Sequence, residues 1–426
     1  VTIGGVVKAT NVQTASTNFA IKIGQTVASG TSTFGANTTL NNLGGFIMGT
    51  ASNAHNLSVA GSFATAATGT AKLNGGVTTT TTQTYAGPVQ LTGDTTFTTT
   101  NSAVAFSSTV DGTTANTESL TVAAGTGNTT FTGAVGGTTS LKNISVTTGA
   151  LTAAAVKADT GITVTNTAAS TISGVISGTA TLTKAGASTL TLSGTNTYSG
   201  DTTISAGTLS VSSDSNLGTG NMSLGGTLAI TGTTAFSSSK TITLTAASTI
   251  TNSNTGGATL SGNVTNGANG LTVNTSQAMT MSGVIGSGAG GLTKSGAGAL
   301  TLSGANTYTG AVTVSGGSLL VTHNTALGTT AGGVTVASGA TLDLQNVTVG
   351  AEAITLNGGT LATSTGTSSL SGTVALGANS IVSVAGTQLT LSGVISGAGF
   401  GITKTDTGIL ILSGANSYTG VTTISA

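Results

Sequence analysis

Side chains that could do chemistry are scarce in this chain of 426 residues, which carries nine basic residues, nine acidic residues and two histidines. All nine basic residues are lysines, the formal net charge is zero, and there is no cysteine. Without cysteine the chain has no disulfide, zinc-ribbon or iron–sulfur chemistry. Without arginine and with balanced charge, it lacks the basic surface that nucleic acids require. We therefore expect no metal, no cofactor and no nucleic-acid partner.

The acidic residues are the first candidates for catalysis, because two carboxylates about 5 to 10 Å apart in a groove can cleave a polysaccharide. The candidates are Asp201, Asp214, Asp343, Glu352 and Asp406. In the internal repeat described below, Asp201 aligns with Ala311 and Val421, which indicates that single acids at turns are the usual arrangement. The sequence therefore predicts no catalytic residue, and a polysaccharide-active enzyme is kept as the alternative.

The two histidines, His55 and His323, are the remaining candidates for acid–base or metal chemistry. His323 lies in a segment that aligns with residues 211–218, where a serine holds the same place. We therefore predict that His323 faces the solvent and that neither histidine is catalytic or binds a metal. No Gly-x-Ser-x-Gly motif stands out that would place a nucleophilic serine on a sharp turn.

A repeat of 110 residues brings back the same lysine, asparagine and tyrosine three times. We call the segments 182–209, 292–319 and 402–426 the repeat signature. Its marker residues are Lys184, Asn196, Tyr198, Lys294, Asn306, Tyr308, Lys404, Asn416 and Tyr418. We interpret them as structural. Each lysine is expected to be a solvated turn residue, and each tyrosine is expected to cover the edge of the β-solenoid inferred below or to pack a corner of it. Tyr85 suggests a degenerate fourth copy, and a binding role for the lysines or tyrosines is the alternative.

The elements that must position these residues are short β-strands. Apolar and threonine residues alternate along the chain, as in Leu300-Thr301-Leu302, and this period of two indicates strands, whereas no segment shows a helical period. Turns rich in Gly and Asn recur at roughly 18 to 23 residues, the length of one rung of a β-solenoid. The sequence predicts an all-β chain, a single continuous β-solenoid over residues 1–426 with roughly 20 rungs. Residues 1–150 are divergent rungs, and 151–426 carry the 110-residue repeats.

Stacking of rungs also explains the low charge. Outward residues form ladders about 4.8 Å apart, where like charges repel and Thr, Ser and Asn do not. Asp406 takes the place of Gly186 and Gly296 in the signature, so we predict a left-handed backbone at all three positions, which Asp tolerates.

The signature has the pattern Leu-Thr-Lys-x-Gly-x-Gly-x-Leu-x-Leu-Ser-Gly-x-Asn-x-Tyr-x-Gly. It resembles the passenger-associated transport repeat of bacterial autotransporters and related giant surface adhesins. Residues 182–209 and 292–319 match nearly end to end, and the third copy starts at Ile402. The resemblance implies a right-handed parallel β-helix on the outside of a Gram-negative outer membrane, together with an outer-membrane translocator or further repeats elsewhere in the protein.

The function expected from these observations is a non-enzymatic extracellular rod, either the stalk of a surface adhesin or a filament. Val1 and Ala426 lie in strand-like sequence, and an uncapped end would be continued by more chain, covered by another domain or stacked on another subunit. The expected partners are therefore further copies of the chain, end to end or side by side, or surface glycans and proteins. A carbohydrate-binding module is a further alternative, which would require an exposed aromatic patch.

Overall fold

The computed structural model describes residues 2–10, 12–14, 19–25, 30–286 and 288–425. The chain forms two compact units, here called unit 1 (Val1–Ser210 with Ser215–Gly220) and unit 2 (Val211–Asp214 with Asn221–Ala426). The expectation about the ends of the chain rests on Val1 and Ala426. Both lie outside the described residues. A single continuous solenoid over the whole chain stays a prediction.

The first part of the chain, up to residue 216, contains short strands and one turn of 3₁₀-helix. They are β1 (Thr2–Ile3), β2 (Lys8–Ala9), β3 (Ile21–Ile23), β4 (Thr31–Phe34), β5 (Thr38–Leu40), β6 (Phe46–Met48), β7 (Asn56–Val59), β8 (Phe63–Thr65), β9 (Ala71–Thr79), β10 (Gln83–Tyr85), β11 (Val89–Thr99), β12 (Val104–Phe106), β13 (Val110–Gly112), β14 (Leu120–Ala123), β15 (Thr129–Phe131), β16 (Leu141–Thr148), β17 (Leu151–Ala153), β18 (Val156–Asn166), β19 (Ser170–Ile172), β20 (Ile176–Ser177), β21 (Thr181–Ala185), β22 (Thr189–Leu192), β23 (Thr202–Ile204), β24 (Thr208–Val211) and the 3₁₀ turn Asp214–Asn216.

In the remainder of the chain, the described residues 217–286 and 288–425 form strands and no helix. They are β25 (Met222–Leu224), β26 (Thr227–Ile230), β27 (Phe236–Ser238), β28 (Ile242–Leu244), β29 (Ser248–Asn252), β30 (Ala258–Leu260), β31 (Val264–Thr265), β32 (Leu271–Thr275), β33 (Met279–Met281), β34 (Ile285–Gly286), β35 (Leu292–Ser295), β36 (Ala299–Leu302), β37 (Val312–Val314), β38 (Ser318–Val321), β39 (Val334–Ala337), β40 (Thr341–Leu344), β41 (Thr348–Val349), β42 (Ile354–Asn357), β43 (Thr360–Thr363), β44 (Thr367–Leu370), β45 (Val374–Ala378), β46 (Ser380–Val384), β47 (Gln388–Leu391), β48 (Ile395–Ser396), β49 (Ile402–Thr405), β50 (Ile409–Leu412) and β51 (Thr422–Ser425).

The strands pair in parallel with the strand one rung away, as in Leu182 with Thr202 and Leu292 with Val312. This arrangement confirms the all-β class and the parallel β-solenoid of about 20 rungs. Within the described residues no helix is long and apolar enough to cross a membrane.

Unit 2 has three faces, each built by one strand, or one short segment, of every rung. The first face stacks β26, β29, β32, β35, β37, β39, β42, β45 and β48. The second face stacks β27, β30, β33, β36, β38, β40, β43, β46, β49 and β51. The third stacks β25, β28, β31 and β34, and further along the chain β41, β44, β47 and β50.

Two copies of the signature in unit 2 lie on different faces. Lys294 lies in β35 on the first face and Lys404 in β49 on the second. Five rungs separate β35 from β48 on the first face, and β49 is the next strand along the chain. The 110-residue repeat therefore spans five and one third rungs, which agrees with the expected rung length of roughly 18 to 23 residues.

Burial alternates along the strands and defines the core of each unit. Inward positions hold mainly Val, Leu and Ile, whereas the outward positions between them are largely threonine. On the first face of unit 2 the outward threonines stack in register over seven consecutive rungs. This ladder comprises Thr227, Thr249, Thr272, Thr293, Thr313, Thr335 and Thr355. The uncharged outward ladder expected from the composition is therefore present.

Candidate functional site

The signature lysines lie in strands and point into the solenoid. Lys184 and Lys294 are fully buried, and Lys404 is 7% exposed. Lys294 stacks between Val273 and Val314 of the neighbouring rungs. The expectation of a solvated turn residue is wrong, because the period of two in Leu-Thr-Lys puts lysine on the same inward side as leucine.

The buried ammonium group is held by backbone carbonyl oxygens at the end of its own strand. Lys294 Nζ donates to Ser295 O at 2.7 Å, to Gly296 O at 2.8 Å and to Gly316 O, one rung further on, at 3.0 Å. The corresponding contacts of Lys184 Nζ are Ala185 O at 2.6 Å, Gly186 O at 2.8 Å and Ala206 O at 3.2 Å. Burial lowers the pKa of both lysines to about 8.

The turn beside each lysine has a left-handed residue, as the sequence predicts. The φ angles of Gly186, Gly296 and Asp406 are 78°, 76° and 67°. This conformation turns the carbonyl groups toward the lysine, so that strand, turn and ammonium group form one unit. Lys404 Nζ likewise donates to Thr405 O at 3.0 Å and to Asp406 O.

The signature asparagine connects consecutive rungs. Asn306 Oδ1 accepts from Ile285 N at 2.8 Å, and Asn306 Nδ2 donates to Ala326 O at 2.6 Å, so one side chain bridges the rungs before and after it. Asn196 makes the same contacts with Ile176 N, at 2.7 Å, and with Asn216 O. Asn416 is exposed, and its Oδ1 accepts from Ile395 N at 2.8 Å.

The signature tyrosines each lie in a segment between two consecutive strands. Tyr198 is fully buried and Tyr418 is half-buried. Their hydroxyl groups lie 2.6 Å from the Oγ1 atoms of Thr202 and Thr422, respectively.

In the second copy the tyrosine hydroxyl has different surroundings, because Val312 replaces the threonine. Tyr308 is 1% exposed and donates to Ala326 O over 3.4 Å. Burial and the nearby Glu352 carboxylate raise the Tyr308 pKa far above its usual value. Glu352 is itself 3% exposed, and burial raises its pKa to about 7. Glu352 is one of the acids that the sequence offers as a candidate, but no sequence pattern indicates that Tyr308 lies beside it.

Three of the other acids considered for a polysaccharide-cleaving site, Asp214, Asp343 and Asp406, bind groups that are not carboxylates. Asp214 forms an ion pair of 3.0 Å with Lys240. Asp343 accepts from Ser364 Oγ at 2.6 Å, and Asp406 accepts from Ser383 Oγ at 2.6 Å. Across the described ranges no group of three or more His, Asp or Glu side chains could hold a metal ion.

His55 forms an arrangement that the sequence did not indicate. Its Nε2 atom lies 2.9 Å from Ser32 Oγ, the distance expected between a nucleophile and its base. Both side chains are fully buried, and burial lowers the pKa of His55. A substrate cannot reach this pair, so its contribution is to packing. His323 is half-buried at a bend and accepts from Thr325 N at 3.2 Å.

Tyr85 is not equivalent to the signature tyrosines. It lies within strand β10 and stacks on Phe106 at 5.0 Å between ring centroids, and Phe106 stacks on Phe131 at 4.9 Å. Offset stacking of this kind stabilises a narrow interior. The interpretation of a degenerate fourth copy is therefore wrong, because this residue belongs to an aromatic ladder in the core of unit 1.

Comparison with known proteins agrees with this geometry. The Passenger-associated-transport-repeat family model matches residues 182–211, 292–321 and 402–426. Over 250 residues, or 57% of the chain, the sequence is 32% identical to the adhesin BmaC autotransporter of Brucella suis biovar 1 (strain 1330). The chain spans 7% of the length of that adhesin. No solved structure matches the chain.

Fold and site together define a parallel β-solenoid whose rungs are connected at regular intervals by a buried Lys–Asn–Tyr signature. The matched segments are passenger-associated-transport repeats, and together with the similarity to an autotransporter adhesin they support an autotransporter passenger domain. This class implies export to the cell surface or the extracellular space.

Proposed function

We propose that this chain is a non-enzymatic structural segment, the stalk of an adhesin held at the Gram-negative outer membrane. The observation that carries the proposal is the continuous parallel pairing of rungs in each unit, with its uncharged outward ladder. The buried lysines and asparagines hold neighbouring rungs together, which suits a segment that transmits force. A stalk, rather than a filament, is the form that the similarity to an adhesin favours.

A stalk sets the distance between the cell and a binding module, so its length can be tested directly. The chain is placed between an outer-membrane anchor and a small module of known ligand, and compared with a variant lacking residues 292–401. This deletion removes five and one third rungs, or about 25 Å at strand spacing. We expect the module in the variant to bind its ligand at a distance shorter by about 25 Å, measured by atomic force microscopy.

The control is the anchored chain without the binding module. A stalk gives no adhesion to the ligand of the module in this control, whereas adhesion of the chain alone to that ligand surface would contradict the proposal. An unchanged distance in the deletion variant would contradict it as well, because the segment would then not set the reach of the module.

A further inference from the structure

The outer surface of unit 1 has a groove of about 320 Å³ beside strands β9, β11 and β13. Its floor is formed by Lys72, Gln90 and Asp111, which are aligned in register on these three strands. Consecutive members of this row are therefore about 4.8 Å apart along the solenoid axis. The volume falls within the range of small-ligand sites, roughly 300–1,000 Å³.

Thr138 and Thr139, in the segment 136–140, line part of the groove. Asp111 Oδ1 accepts from Thr138 N at 2.8 Å and from Thr139 N at 3.3 Å, and Ser140 Oγ donates to Asp159 Oδ2. This part of the lining is thus fixed before any ligand arrives, which lowers the entropic cost of binding. The lining also includes Pro88, the one proline of the chain, whose ring offers a small rigid apolar surface.

The groove brings together an ammonium group and a carboxylate, which are rare in this chain, with a side-chain amide and threonine side chains. Lys72 is exposed, and in the described part of the chain no carboxylate lies within ion-pair distance of its ammonium group. The carboxylate of Asp111 lies two rungs away, about 10 Å along the axis. The row therefore has a positive end at Lys72 and a negative end at Asp111, with the amide of Gln90 between them.

We propose that this groove binds an oligosaccharide that carries a carboxylate group, with the carboxylate at Lys72. Lys72 forms a charge-assisted hydrogen bond with the carboxylate. Gln90 and the threonine side chains bind the sugar hydroxyl groups, for which an amide supplies both donors and an acceptor. A nucleic acid fits less well, because the groove has no arginine and no aromatic residue for stacking. The site is independent of the stalk function, since a stalk needs no ligand.

The test uses the full chain and two defined probes, trigalacturonic acid and the neutral trisaccharide maltotriose, in isothermal titration calorimetry. We expect binding of trigalacturonic acid at least about tenfold tighter than that of maltotriose. Lys72→Met is expected to reduce the affinity for trigalacturonic acid about tenfold or more, and Gln90→Leu to weaken it as well. The matched control is Lys142→Met, which removes another exposed lysine of unit 1 that does not line the groove.

Three results would overturn the proposal. Absence of trigalacturonic acid binding would remove the site, and equal affinity for maltotriose would remove the recognition of the carboxylate. An equal loss in Lys72→Met and Lys142→Met would show diffuse attraction by surface lysines instead of a groove. Circular dichroism of each variant establishes that it is folded, and both lysines are exposed, so loss of the fold is not expected.

Discussion

At the scale of single residues, the signature places a lysine where a hydrophobic residue would be expected. A charged group loses its hydration on burial, and no carboxylate in the described residues pairs with Lys184 or Lys294. Three carbonyl oxygens take the place of water around each ammonium group. The lysine therefore serves as a hydrogen-bond donor that connects its own turn to the following rung.

The lowered lysine pKa predicts how stability changes with pH. The folded-state pKa of Lys294 is about 8, below the ordinary lysine value of 10.5, so the unfolded chain binds more protons between these values. Stability gained from this group is present above the unfolded value and is lost as the pH falls through about 8. We expect the free energy of unfolding to rise from pH 7.5 to 9.5 by up to about 2 kcal/mol per buried lysine.

Urea denaturation at pH 7.5, 8.5 and 9.5 measures this rise, which Lys294→Met should reduce. Lys142→Met, which removes an exposed lysine, is the control and should leave the rise unchanged. Glu352 does not interfere, because its pKa of about 7 is below the interval. Identical pH dependence in the two variants would show that the Lys294 charge does not affect the folding equilibrium.

At the scale of the element, each signature strand ends in a turn that requires glycine or a residue tolerant of left-handed geometry. The prediction for this turn compares Gly296→Ala with Gly339→Ala, since both glycines have a φ of 76°. A Cβ at 296 would collide with Thr275 O and Asn274 Oδ1, whereas a Cβ at 339 would meet nothing within 4 Å. Both variants bear a backbone cost of about 1–2 kcal/mol.

We expect Gly296→Ala to be less stable than Gly339→Ala by a further 1 kcal/mol or more, roughly the cost of overpacking. Urea denaturation at neutral pH measures both. Equal destabilisation would mean that the strand and turn shift without penalty, and would contradict the close contact of the turn with the rung before it.

The strands were predictable from the sequence because their signal is local. Alternation along five residues is enough to indicate a strand, and the place of Asp406 in the repeat is enough to indicate a left-handed turn. The lysine was misjudged because its alternation indicates the interior while its charge indicates the surface. Burial of the lysine is possible because backbone carbonyl groups accept its hydrogen bonds. One of these groups, Gly316 O, is 22 residues from Lys294, so a local sequence pattern does not show it.

For the same reason, the sequence did not indicate the surroundings of Glu352 or the presence of the groove. Tyr308 is 44 residues from Glu352, and no sequence pattern shows that they approach each other. The groove depends on the segment 136–140 and on the pairing of Lys72, Gln90 and Asp111, which are about 20 residues apart along the chain. Such contacts follow from the register of the rungs. Because the turns vary in length, this register cannot be read from the sequence.

At the scale of the whole molecule, the scarcity of charge follows from stacking. An outward side chain has neighbours of its own ladder on both sides at about 4.8 Å, so a charge at one rung affects the next. Thr293 and Thr313 are such direct neighbours on the first face of unit 2. Thr355 belongs to the same ladder three rungs from Thr293, about 14 Å away.

The prediction is tested with a double-mutant cycle. Thr293→Lys and Thr313→Lys together should destabilise the fold by about 0.5–1 kcal/mol more than the sum of the single variants, because adjacent like charges repel. Thr293→Lys with Thr355→Lys is the control pair and should be additive, since its separation exceeds the Debye length of about 8 Å at physiological salt. A coupling that persists unchanged in 1 M salt would have a cause other than charge.

The spacing of Lys294 and Lys404, five whole rungs and one further strand, has a consequence for how such chains change during evolution. An internal duplication of 110 residues moves the added segment onto a different face, so it survives only where the three faces offer equivalent neighbours. Lys294 meets Val273 and Val314, and Lys404 meets Val382 and Ile424, so the two faces do present the same kind of environment. Recombination between copies can thus lengthen or shorten the gene product in steps of one repeat, each junction joining sequences that already fit each other.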